Sequence, residues 1–168
     1  MNKPTLYVMI GAPGSGKSTV AKKFSDKFNI PIVSRDTIRY SILKDNDSYF
    51  AKESLVFNTF MKKVNNYLQN GESLIADATH LNPVSRFKLF REIHLDKNQY
   101  NRVAIVVQTS LNTCLERNAQ RSGRQRVPDS AVRTMYKSLI LPSKSEQFKD
   151  TIIIDESTGE DYDDLLHL

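Results

Sequence analysis

Eight consecutive residues near the N-terminus constrain this chain more than any others: Gly11-Ala12-Pro13-Gly14-Ser15-Gly16-Lys17-Ser18. They match G-x-x-x-x-G-K-[ST] at every fixed position, directly after the apolar run Leu6–Ile10 and ahead of a helical pattern. Strand, glycine loop and helix in that order have a mechanical consequence. The glycines let the backbone curl so that several N–H groups point inward, and a helix opening near Lys17 adds its positive end. Such a nest takes phosphate oxygens. Gly11 to Ser18, with Thr19, are therefore candidate nucleotide-binding residues. Lys17 is expected to reach the β- and γ-phosphates of ATP, and the Ser18 hydroxyl to be a ligand of Mg2+. The loop fixes the ligand but not the reaction, because many activities are built on it.

The remaining pattern sets the fold around that loop. Leu6–Ile10, Pro31–Ser34, Ser73–Asp77, Val103–Gln108 and Thr151–Asp155 read as strands, short and nearly continuous in apolar character. Strands buried on both faces look like this, as in a parallel sheet covered by helices. Between them, residues 49–70 place Phe57, Phe60, Met61, Val64 and Leu68 at helical spacing, with Lys62, Lys63, Asn65 and Asn66 elsewhere on the wheel and Gly71 as a stop. Residues 129–140 put Val132, Met135, Tyr136 and Leu139 on one stripe after Pro128 and Asp129. Residues 111–121 form a third helix with Leu111, Leu115 and Ala119 as its buried row. The expectation is one α/β domain over 1–168, a parallel sheet of about five strands flanked by helices. The last stretch, Glu160 to Leu168, is acidic and then apolar, and reads as a short docked helix or a frayed tail.

Two acids fall at the ends of strands. In open parallel sheets ligands sit beyond the carboxyl ends of the strands, which places Asp36 and Asp77 at the edge that carries the glycine loop. Asp36 can orient an attacking hydroxyl, and Arg39, three residues on, can share its helical face and hold an anionic group of the acceptor. The alternative is that Asp36 caps the helix and Arg39 is solvated. Asp77 suits the magnesium side. Thr79, His80 and Asn82 follow in the next loop, where they can line the acceptor site; a lone histidine there is more often an ordinary loop residue.

Arginines cluster later. Arg117 and Arg121 are four apart on one helix, and Arg124 and Arg126 follow with Gly123 before Pro128. A helix and loop bearing arginines over about 115–130 suggests a lid whose planar forks bind phosphate oxygens and exclude water. The plainer alternative is a solvated basic face. The net charge of +5 favours polyanionic ligands, a triphosphate first and nucleic acid second. Cys114 is the one cysteine, so no intrachain disulfide forms, and its plain reading is a small buried residue. No run approaches a membrane span or a secretory core, so the chain reads as cytoplasmic and away from membranes.

GAPGSGKST at 11–19, SRDTIRYSIL at 34–43, DATHLNPVSR at 77–86, and LERNAQRSGRQRVP running into VRTMYKSL at 115–139 together resemble the kinase domain of the phage-type polynucleotide 5′-kinase. That family is one of the P-loop kinases. The resemblance covers nearly the whole chain, and only its first motif is generic. It implies a P-loop NTPase fold, with Asp36 as general base and Arg39 as the contact to the phosphate beside the reacting nucleoside. It also implies Arg121 as the lid arginine on the donor phosphates, Arg117 as a second arginine on that side, and Thr79 facing the acceptor. The family loop often reads D-T-N before L-N-P, whereas here it reads Asp77-Ala78-Thr79-His80, with the acid one place earlier. The phosphatase domain fused to the phage-type enzyme has no counterpart, so removal of 3′-phosphates is not expected.

The expected reaction is therefore ATP-dependent phosphorylation of the 5′-hydroxyl of DNA or RNA. A kinase of a small hydroxyl compound (a nucleoside, nucleotide or antibiotic) is the first rival. A nucleotide-dependent binding module without an acceptor is the second, and it should tolerate loss of Asp36. Oligomeric state is left open. Asp36→Asn is expected to retain ATP binding and to lose ~10²–10⁴ in turnover; preserved turnover would remove Asp36 from the role of base.

Overall fold

In the computed structural model, residues 2–156 are described. The first apolar run becomes β1 (Thr5–Ile10), and the glycine loop leads from it into α1 (Lys17–Phe28). Then follow β2 (Ile32–Ser34), α2 (Arg35–Ile42), α3 (Glu53–Gln69), β3 (Leu74–Asp77), α4 (Pro83–Arg91) and β4 (Asn101–Gln108). The chain continues through α5 (Leu111–Ala119), a 3₁₀ turn at Gly123–Gln125, α6 (Asp129–Lys137), a second 3₁₀ turn at Lys144–Glu146, and β5 (Asp150–Asp155). Every strand pairing is parallel, and the order is β2-β3-β1-β4-β5. This is the α/β fold read from the sequence, a parallel sheet of five strands flanked by helices. The acidic-then-apolar stretch from Glu160 to Leu168 lies outside the described residues.

The order places the switch in chain direction at β1, with β3 on one side and β4 on the other. Loops that leave these three strands converge at their carboxyl ends, where such sheets hold ligands. Helices cover both faces. One apolar layer joins the sheet to α3 and α4 through Phe60, Val64, Leu68, Leu89 and Val106. The opposite layer joins it to α1 through Val20, Ala21, Phe24, Met9 and Ile105. A third, smaller cluster sets Cys114, Val127 and Val132 beneath Ala12 of the glycine loop. β3 is buried along its whole length, as its unbroken apolar run predicts. β5 differs: it is an edge strand, burying Ile152 and Ile154 while Ile153 faces outward. Its apolar run serves only one face.

Three local expectations are corrected. The helix expected over 49–70 starts at Glu53, because residues 49–52 are a turn. Its predicted apolar stripe is buried as read, but Asn65 joins it, donating to Glu92 O at 2.9 Å and accepting from His94 N at 2.8 Å. In α5 the buried positions are Cys114 and Asn118, not the row Leu111, Leu115, Ala119; Ala119 is exposed. Asn118 displaces a leucine from the inner face because it fastens a loop. Its amide donates to Val127 O at 2.6 Å and accepts from Val127 N at 3.0 Å. Among the described residues, no helix is long and apolar enough to cross a membrane.

Arg86 is a fully buried charge on α4. It donates to His80 O at 2.8 Å, to Ile140 O at 3.0 Å, and to both carboxylate oxygens of Glu146 at 2.5 and 3.2 Å. One guanidinium thus ties the loop after β3 to the segment after α6. Removing it leaves a carboxylate and two carbonyls without their donor. Arg86→Met is expected to lower the unfolding free energy by about 3–5 kcal/mol, read from the urea midpoint at unchanged slope.

Candidate active site

The glycine loop is fixed by close backbone approaches. Gly14 and Gly16 have φ of 79° and 92°, where only glycine is unstrained. A Cβ on Gly14 would stand 2.5 Å from Cys114 O, and one on Gly16 would stand 2.6 Å from Glu156 Oε1. Gly11 N donates to Thr79 O at 3.0 Å, so the loop after β3 anchors the start of the nest. Lys17 is buried at the first residue of α1, while Ser18 and Thr19 remain exposed at the mouth. The result is a concave nest at a helix N-terminus with a lysine inside it, which is the geometry for a polyphosphate.

Beside it, Ser18 Oγ donates to Asp77 Oδ2 at 2.8 Å. The other carboxylate oxygen, Asp77 Oδ1, is buried with no hydrogen-bond partner. A hydroxyl and an unsatisfied carboxylate oxygen at the rim of a phosphate nest fit Mg2+, which takes one or two protein oxygens together with phosphate and water. Among the described residues no group of three His, Cys, Asp or Glu comes together.

Asp36 is not the cap of its helix. Ser34 takes that position, its Oγ accepting from Thr37 N at 3.2 Å. The Asp36 carboxylate is left to side chains. Arg39 Nη1 donates to Asp36 Oδ1, and the Tyr49 hydroxyl donates to the same oxygen at 2.6 Å. Both bonds go to Oδ1, and Oδ2 takes neither. Burial, followed by the Asp36 charge, raises the Tyr49 phenol above its ordinary range, so it stays a donor. The Arg39 guanidinium lies 4.2 Å from the Tyr49 ring centroid and bonds twice to Glu53 Oε1, from Nε at 3.0 Å and Nη2 at 2.7 Å. Glu53 Oε2 accepts from Arg35 at 3.1 Å. Tyr49 and Glu53 were not read from the sequence as site residues. Their only sequence signal is position, Tyr49 four residues ahead of the amphipathic α3 and Glu53 at its start.

Asp36, Arg39, Tyr49, Phe50, Thr79 and Lys17 line one small cavity of about 90 Å³. Asp36, Asp77, Ser18 and Arg121 line an adjoining cleft of about 570 Å³. The two strand-end acids and the nest therefore meet at one edge. Of the three residues read in the loop after β3, only Thr79 reaches the cavity. Asn82 instead caps α4, accepting from Ser85 N at 3.0 Å within a capping box. His80 is buried with φ of 42°, its Nδ1 2.9 Å from Met9 O. The carbonyl can only accept, so Nδ1 carries the proton. His80 is thus bonded inside the fold and does not line the cavity.

The four arginines separate. Arg121 faces the cleft of Asp36 and also borders the glycine nest. Arg117 Nη1 donates to Gly14 O at 3.3 Å and pairs with Glu156 at 2.9 Å, on the nest side. Arg124 Nη1 donates to Leu43 O at 2.5 Å, tying the segment to the end of α2. Arg126 makes only a 3.5 Å pair with Asp129 at the surface.

A model of the AAA domain family matches residues 6–142, and the chain belongs to that family. Its parallel sheet and glycine nest are those of the P-loop kinase fold. The adenylate kinase of Buchnera aphidicola subsp. Schizaphis graminum is 39% identical over 66 residues, which is 39% of this chain and 25% of that protein. The chain thus spans about a quarter of the length of the curated relatives it matches. Among solved structures, a chain of the Pnkp1/Rnl/Hen1 RNA repair complex is similar at 26% identity and a TM-score of 0.69, over 83% of this chain and 45% of that one. A gluconokinase from Sinorhizobium meliloti 1021 shares the fold at 20% identity and a TM-score of 0.57, over 92% of this chain and 84% of that one.

Burial holds His80 neutral, pushing its pKa from 6.5 down to about 4. A depressed histidine contributes stability above its unfolded pKa and loses it as pH falls, since the unfolded chain takes up the proton first. Stability should therefore drop between pH 6.5 and about 4 by roughly 2–3 kcal/mol from this residue. His80→Asn keeps a donor for Met9 O and tolerates the positive φ. Denaturant unfolding across that pH range should show a correspondingly shallower acid loss for the variant than for the parent.

Proposed function

We propose that this chain transfers the γ-phosphoryl group of ATP to the 5′-hydroxyl end of DNA or RNA, acting in the cytoplasm. The observation that carries the reading is the Asp36 carboxylate. It stands in the same cleft as Ser18, Asp77 and Arg121, with Oδ1 held by Arg39 and Tyr49. A carboxylate fixed through one oxygen offers the other to an acceptor hydroxyl. The resemblance of the R-D-x-x-R and R-N-x-x-R segments to the polynucleotide 5′-kinases, together with the likeness to an RNA repair chain, supports a nucleic-acid acceptor.

In this reading the backbone N–H groups of Gly14, Ser15, Gly16 and Lys17 cradle the β-phosphate, and Lys17 bridges toward the γ-phosphate. Thr19 and Arg117 border the donor. Ser18 and Asp77 hold Mg2+, which supplies charge neutralisation between the β- and γ-phosphates when bound. Asp36 Oδ2 orients the 5′-oxygen in line and takes its proton late, as the new O–P bond forms and the bond to the β-phosphate oxygen breaks. The transition state is loose, so positioning and charge stabilisation carry most of the rate. Arg121, on a lid over about 115–130, meets the charge that develops on the transferring group. Asn118 and Arg124 set that lid's resting position through Val127 and Leu43. Arg39 and Thr79 belong to the acceptor side.

One observation favours a second reading, a kinase of a small hydroxyl compound: the cavity at Asp36 and Arg39 holds only about 90 Å³. That space admits a terminal sugar end and little more. Purified protein with Mg2+ and γ-labelled ATP should label a 5′-hydroxyl oligonucleotide and leave a 5′-phosphorylated one unlabelled. The rate should fall steeply as salt rises, because phosphate contacts release counterions. Failure to label DNA or RNA ends while ATP still binds would put the small-molecule acceptor first.

A further inference from the structure

Arg39 is expected to hold an anionic group of the acceptor, yet four of its five N–H donors already have partners. The guanidinium is nearly buried, 4% exposed. Nη1 serves Asp36 and, at 2.9 Å, the Tyr49 hydroxyl. Nε and Nη2 form the parallel edge that suits a carboxylate or a phosphate, and both are filled by Glu53 Oε1 at 3.0 and 2.7 Å. Two arginines and two carboxylates therefore face one another here: Arg35 and Arg39 against Asp36 and Glu53. An arriving phosphate meets a compensated site, not a free cation.

We propose that Glu53 is the specificity-determining counter-anion of the acceptor site, which an acceptor's phosphate must displace from Arg39, so that its charge sets how strongly hydroxyls linked to an anionic group are preferred. The proposal rests on the reading of Asp36 and Arg39 as acceptor machinery. Its geometry is that of an exchange. A phosphate can present two oxygens to the Nε/Nη2 edge, where Glu53 now offers Oε1 alone. Glu53 has somewhere to go, since its Oε2 already accepts from Arg35 Nη2 at 3.1 Å. It is also the first residue of α3, where the helix dipole favours an anion, and its side chain is one-third exposed. Losing Arg39 therefore does not strand the carboxylate. A neutral acceptor brings nothing to replace Glu53, and an acceptor that pulled Arg39 away would leave a buried charge unpaired. The preference thus comes from the contact to Arg39, and the ion that must be displaced sets how far it is tempered. Asp36 and Tyr49, bonded to the other side of the guanidinium, keep their places during the exchange.

The measurement is the KM of cytidine over that of cytidine 3′-monophosphate as acceptors, with ATP and Mg2+, in the parent chain and in Glu53→Gln. Glutamine keeps the size and an accepting oxygen but removes the competing charge. The ratio is expected to rise about tenfold in the variant, through the KM of the anionic acceptor more than through kcat. An unchanged ratio, or equal rises in both KM values, would overturn the proposal and leave Glu53 a brace for Arg39. Should Glu53→Gln melt before the assay temperature, Glu53→Ser is put to the same ratio. No transfer by the parent chain to either cytidine compound or to a 5′-hydroxyl oligonucleotide would overturn the acceptor reading itself, and the exchange with it.

Discussion

The path of the backbone between Gly11 and Gly16 is the constraint on which the rest of the structure turns. It has to curl tightly enough to aim its N–H groups inward while passing against three neighbours. Thr79 O accepts from Gly11 N, Cys114 O lies where a Cβ of Gly14 would be, and Glu156 crowds Gly16. Those neighbours come from the loop after β3, from α5 and from the residue after β5, segments far apart in sequence. Parallel pairing in the order β2-β3-β1-β4-β5 is what brings them to one edge. The nest is thus a product of the sheet, and it exists only because the side chains that would block it are absent at two positions.

Charge compensation governs the other half of the site. Among the described residues, both buried arginines come with partners. Arg86 is paired by Glu146 and two carbonyls, and Arg39 by Asp36, Glu53 and Tyr49. The two clusters serve different ends. Around Arg86 every donor direction ends on rigid backbone or on a carboxylate held by its own turn, so the cluster bolts α4 to the segment after α6. Around Arg39 the partners are side chains on a turn and a helix start, in a small cavity open to the phosphate edge. A network of that kind can exchange a partner for a ligand, whereas the first cannot.

Asp77 sits between the two halves. Its one oxygen bonded to Ser18 belongs to the nest, and its other oxygen is buried and unsatisfied. An unsatisfied carboxylate oxygen is costly in the free protein, and the natural compensation is a cation held jointly with phosphate. In the proposed reaction that oxygen would join the nucleotide to the acceptor side, since Asp36 borders the same cleft.

The strands, the nest and the two strand-end acids were legible in the sequence because each follows from local order: an apolar run, then a glycine or an acid, then a helical pattern. Arg39 was legible through its spacing from Asp36. Tyr49, Glu53, Arg86, Asn118 and Glu156 were not, because each acts on a residue distant along the chain; Arg86 and Glu146 are 60 positions apart. Asn82 and His80 were legible as polar loop residues but not in their roles, one a helix cap and the other buried against Met9. By itself the sequence determined a parallel α/β sheet with a phosphate nest and an acid beside it, since periodicity and glycine placement are local properties of the backbone. Only the tertiary structure decided which arginines face the cleft, which carboxylate neutralises Arg39 and which oxygen of Asp36 is left over. Those outcomes depend on which side chains meet across the carboxyl edge of the sheet, and contact between distant segments leaves no local trace.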